Sequence, residues 1–110
     1  MLEVKLKNFE IATAEKIRLA FPEQTAKLDA AVLAGFIRQG VDLAENYAIE
    51  RAEDVQSFLL FAVQYGLDVR RYPQWAGLIL LNAELTGSEK VEQINSTQLD
   101  ANKGELSRAV

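Results

Sequence analysis

Histidine and cysteine are both absent from the 110 residues. The first absence removes the commonest general base and the commonest metal ligand. The second removes the strongest biological nucleophile, thiolate zinc sites and every disulfide. A secreted scaffold of this size usually needs such staples, so a reducing compartment, the cytoplasm, is the simpler expectation. The N-terminal letters MLEVKLKNFE alternate charged and apolar residues and lack the continuous apolar stretch of an export signal, and no apolar run approaches the length of a membrane span. Cations are also in short supply: 12 Lys and Arg against 16 Asp and Glu leave a net charge of −4, with no basic stripe to hold a phosphate backbone. Membrane and nucleic acid are therefore not expected partners. Gly35 and Gly40 lie inside a periodic helical segment with no lysine-serine or lysine-threonine pair after them, so no phosphate loop and no cofactor is expected.

What is present suits a small folded domain. Hydrophobic residues make up 49% and charged residues 25%, far from the composition of disorder, and the length fits one hydrophobic core. Met1 to Thr97 read as one helical domain and Gln98 to Val110 as a polar, weakly periodic, flexible tail.

Leu2, Val4 and Leu6 alternate with Glu3, Lys5 and Lys7, which favours a short extended segment, though the same letters also fit a first helical turn. From Asn8 to Phe21, Phe9, Ala12, Ile17 and Ala20 mark the inner face of a helix, with Glu10, Glu15, Lys16 and Arg18 outward, and Pro22 ends it. Asp29 is a good N-cap for a second helix running to about Tyr47, whose apolar face holds Val32, Leu33, Phe36, Ile37, Leu43, Ala44 and Tyr47. Gly35 and Gly40 inside it suggest close approach of a neighbour. Glu53 and Asp54 open a third helix with Val55, Phe58, Leu59, Ala62 and Val63, and Gly66 closes it. Pro73 suits the first position of a fourth, followed by Trp75, Leu78, Ile79 and Asn82; Ser88 with Glu89 opens a short fifth through Val91 and Ile94. The predicted fold is all-α, a compact antiparallel bundle of four to five helices.

Carboxylates are the remaining catalytic currency, and Glu45, Glu50, Glu53 and Asp54 are the densest group. They lack the glycine and oxygen spacing of a calcium loop, and acids at a helix start are expected there without function. No catalytic and no metal-binding residue is assigned, and an enzyme is not expected. The most informative stretch is Tyr65 to Trp75, which gathers Arg70, Arg71, Tyr72 and Trp75 on one connection and the helix it opens. Arginine, tyrosine and tryptophan are enriched at interface hot spots, so these four are the candidate partner-binding residues. The competing readings are that Trp75 is a core anchor, that Tyr72 caps or staples the helix, and that the arginines are solvated loop charges.

The order Phe21-Pro22-Glu23, Phe36-Ile37-Arg38-Gln39-Gly40, Tyr47-Ala48-Ile49-Glu50, Glu53-Asp54-Val55, Tyr65-Gly66 and Pro73-Gln74-Trp75-Ala76 resembles small helical accessory proteins encoded beside type VI secretion effectors and spike components in Gram-negative bacteria. The resemblance spans Ile17 to Leu85 and rests on caps and core positions, which speak to fold more than to activity. It implies no catalytic motif. The chain departs from the pattern in places: Arg51 and Ala52 stand where a serine or threonine cap is usual, Ala48 where a glycine is frequent, and the loop before Pro73 is basic where relatives tend to be acidic.

The expected function is a non-catalytic protein-binding module, adaptor-like toward a secretion effector or apparatus component. The alternative is an immunity protein that neutralises a cognate toxin, favoured by Asp29, Asp42, Glu45, Glu50, Glu53 and Asp54 against only Arg38 and Arg51 between Asp29 and Leu67.

Overall fold

Phe9, Thr13 and Ile17 recur every four residues and so share one face of a helix, Glu3–Ala20 (α1), with Thr13 and Ile17 fully buried. In the computed structural model the backbone is described for residues 3–109 and the side chains for residues 7–99. The rest of the chain forms Pro22–Thr25 (α2), Ala30–Asn46 (α3), Ala52–Tyr65 (α4), a 3-10 turn at Val69–Arg71, Gln74–Leu80 (α5) and Gly87–Ala109 (α6). No strand occurs among the described residues, and the fold is an all-α bundle. Among them too, no helix is long and apolar enough to cross a membrane.

The extended N-terminal segment is not observed: Val4 and Leu6 belong to α1, while Leu2 lies outside the described residues. A lone strand leaves its backbone groups without partners, whereas a helix satisfies them internally. The inner face of α1 is also more polar than expected. Ala12 and Ala20 are exposed, and Glu10 turns inward, its carboxylate accepting from Arg38 Nε at 2.6 Å. Thr13 Oγ1 accepts from Gln56 Nε2 at 3.1 Å, and Gln56 Oε1 accepts from Lys16 Nζ at 2.8 Å. These links tie α1 to α3 and α4 by satisfied polar pairs.

Pro22 stops α1 as predicted and then starts the single turn of α2, because a proline ring is tolerated where the N–H has no helical partner. Arg18 holds the end of that turn, donating to the carbonyls of Thr25 at 2.9 Å and Leu28 at 3.0 Å. Asp29 caps α3, accepting from Val32 N–H at 2.8 Å. Leu33, Ile37 and Ala44 face the core; Val32, expected there, is exposed.

α4 is the centre of the bundle and packs against α1, α3 and α6. Val55, Phe58, Leu59, Phe61 and Ala62 are all buried on it, each large side chain contributing about 1.5–3 kcal/mol by removal from water. Gly40 lets α3 come close, since a Cβ there would run into the side chain of Leu59. Gly35 has no such neighbour.

The start of α6 differs from expectation. Ser88 is not the cap: Thr86 Oγ1 accepts from Glu89 N–H at 3.1 Å and Glu89 Oε1 accepts from Thr86 N–H at 3.0 Å, a reciprocal capping box that also holds the Glu89 carboxyl below its ordinary range. Ser88 instead donates to Asp54 Oδ2 at 2.5 Å. Gly87 sits against the carbonyl of Ala48, and Lys90, buried, donates from Nζ to the Tyr47 carbonyl at 3.0 Å. α6 is thereby clamped to the turn between α3 and α4. Its backbone continues through Ala109, past the boundary expected near Thr97, in a segment with no proline to interrupt it.

Candidate protein-binding surface

The connection from α4 to α5 is built by local chemistry. Gly66 ends α4 at φ 87° and ψ −167°, a backbone region essentially reserved for glycine. Asp68 then organises the 3-10 turn: its Oδ1 accepts from Arg70 N–H at 3.0 Å, and its two oxygens accept from Arg70 Nε and Nη2, each at 3.0 Å. The guanidinium of Arg70, and then its backbone N–H, hold the Asp68 carboxyl below its ordinary range. Pro73 takes the N-cap position without a side-chain capping bond, so α5 begins at Gln74, one residue later than predicted.

Of the four candidate residues, the structure keeps two at the surface. Arg70 and Arg71 are exposed; Arg70 is engaged by Asp68, and no carboxylate among the described residues lies within salt-bridge distance of Arg71. Tyr72 is a correction: it is 7% exposed and belongs to the core, its ring edge-on to Phe61 at 5.3 Å and its hydroxyl donating to the Gly66 carbonyl at 3.0 Å. Burial pushes its phenol up to about 12. Trp75 is half-buried, edge-on to Phe61 at 6.0 Å, which makes it chiefly a packing residue with one side toward solvent. The alternation of inward and outward residues explains the difference, since aromatic rings here gain more from a shared cluster than from solvent.

Two exposed apolar residues were not found from the sequence: Leu78, which it misplaced, and Leu81, which it did not place. It put Leu78 on the face of Trp75, yet Leu78 is 64% exposed and Leu81 71% exposed. The signal was available in the spacing. Ala76 and Leu80 are the buried pair of α5, and Leu78, two residues from each, is about 200° around the helix from both.

Two of the four grouped acids are helix-start charges. Glu53 and Asp54 occupy the first turn of α4; Glu53 lies 3.6 Å from Arg51, and Asp54 receives the Ser88 hydroxyl. No cluster of three potential metal ligands occurs among the described residues. In comparisons with known proteins, the chain matches no protein-family model, no curated protein and no solved structure.

Proposed function

We propose that this protein is a non-catalytic binding module whose partner covers the outer face of α5. The observation that carries the reading is the exposure of Leu78 and Leu81 beside half-buried Trp75, an apolar surface on a short helix that the bundle itself does not use. Arg70 and Arg71 on the preceding turn supply the charged flank typical of interface rims. The resemblance of the helix caps and core order to accessory proteins of type VI secretion makes an effector or an apparatus component the proposed partner.

The test is affinity capture with the intact protein beside a Leu78→Asp/Leu81→Asp variant and an Arg70→Ala/Arg71→Ala variant, with thermal melts of all three. A partner held by the native protein and lost by both variants, at unchanged melting temperature, supports the reading. Equal capture by all three would move the interface away from α5. A second reading, toxin neutralisation, is favoured by the exposed carboxylates of Asp42, Glu45, Glu50 and Glu53. It requires that expression of the neighbouring gene be harmful without this protein.

A further inference from the structure

A second surface lies away from α5, where α1, α3 and α4 meet. Ile49, fully buried, and Val55 form the floor of a cavity of about 60 Å³, with Phe9 and Val41 as its half-buried walls. Its rim carries exposed Glu45 and Glu50 and the small side chain of Ala52. The cavity exists because the α3–α4 turn drives Ile49 into the core while Ala52, the first residue of α4, supplies only a methyl group to cover it.

We propose that this cavity receives one aliphatic side chain of a partner protein segment whose flanking residues are lysine or arginine. Size decides the class of occupant. A site that encloses a small molecule usually offers about 300 Å³ or more, so a cavity this small admits a single branched side chain presented by something larger. Charge decides the flanks. Exposed Glu45 and Glu50 line the opening and exposed Asp42 follows Val41 of its wall in the chain, while Arg51, the cation between Glu50 and Ala52, lies beside Glu53 and Lys90 donates to the Tyr47 carbonyl. An acidic or neutral segment would leave those carboxylates facing like charge or nothing, whereas a basic one is attracted and held in register. This site stands independently of the α5 face.

The test uses the full chain with methyl labelling and a short capped peptide carrying one leucine between lysines. Saturable shifts of the Val41, Ile49 and Val55 methyl resonances are expected, weakened about tenfold by Glu45→Gln/Glu50→Gln and further by raised salt. Ala52→Leu, which fills the opening, should abolish the shifts, and Leu78→Asp should leave them unchanged. A glutamate-flanked peptide should leave the methyls unmoved. The proposal is overturned by no saturable shift, by equal binding of a serine-for-leucine peptide, by equal binding of butylammonium alone, or by shifts confined to Leu78 and Leu81. Loss of the α5 interface with these shifts intact would overturn the proposed function and leave this site standing.

Discussion

The hydroxyl of Tyr72 donates to the carbonyl of Gly66 across 3.0 Å, closing the loop between α4 and α5 onto its own first residue. The ring that carries the hydroxyl lies among Phe58, Phe61 and Tyr65, so one side chain both fills the core and pins the loop.

Tyr72→Phe keeps the ring and deletes the bond, leaving the Gly66 carbonyl short of a partner; a loss of about 1 kcal/mol is expected in denaturant unfolding. The pH dependence separates this residue from the rest. Its phenol is raised by burial from the ordinary 10.0 to about 12, so the folded state keeps a proton that the unfolded state releases. The stabilisation is complete below the ordinary value and drains away as pH rises toward the raised one. Native protein should therefore lose stability more steeply than Tyr72→Phe across that alkaline window; identical slopes would show that the phenol is not shielded.

Gly35 and Gly40 share α3 yet should respond in opposite directions to alanine. At Gly40 the new methyl group meets Leu59, itself fully buried, and overpacking of about 1–3 kcal/mol outweighs the gain in helix propensity. At Gly35 nothing lies within 4 Å, so only the propensity gain remains, about 0.5–1 kcal/mol of added stability. Melting curves of the two single variants moving the same way would contradict the packing of α3 on α4.

Ala48 has φ 64°, the one non-glycine residue with positive φ among those described. An alanine in that region costs about 1–2 kcal/mol, of which part returns when glycine replaces it and part is offset by a freer unfolded chain. Ala48→Gly should raise stability by about 0.5 kcal/mol, whereas Gly66→Ala should lower it by about 1–3 kcal/mol. Equilibrium unfolding of both variants decides the matter, and a destabilised Ala48→Gly would count against the turn geometry.

Helix capping offers a paired check. Arg51 is the N-cap of α4 and makes no side-chain capping bond, so Arg51→Ser should add roughly 0.5–1 kcal/mol. Thr86 makes the bond that Arg51 lacks, and Thr86→Ala should cost about 1 kcal/mol. Reversal of either sign in thermal denaturation would reassign the cap concerned.

The sequence by itself determined the helical class and most helix ends, because these are local matters. Pro22, Asp29 and Gly66 act through backbone geometry and hydrogen bonds within a turn of themselves, and each acts where its chemistry required. The cap of α6 was also a local matter: the Thr86-to-Glu89 spacing carried the capping box, although only Ser88 was read as the opening. Tertiary structure decided which side of each helix is inside. Glu10 and Thr13 are buried because Arg38 and Gln56, far along the chain, satisfy them; no pattern within α1 contains that information. The aromatic cluster around Phe61 drew Tyr72 inward and left Leu78 and Leu81 outside, so the exposed residues near this connection are set by packing and not by residue type. Local propensity names the elements, but burial is a property of pairs of surfaces, and only their contact settles which face meets solvent.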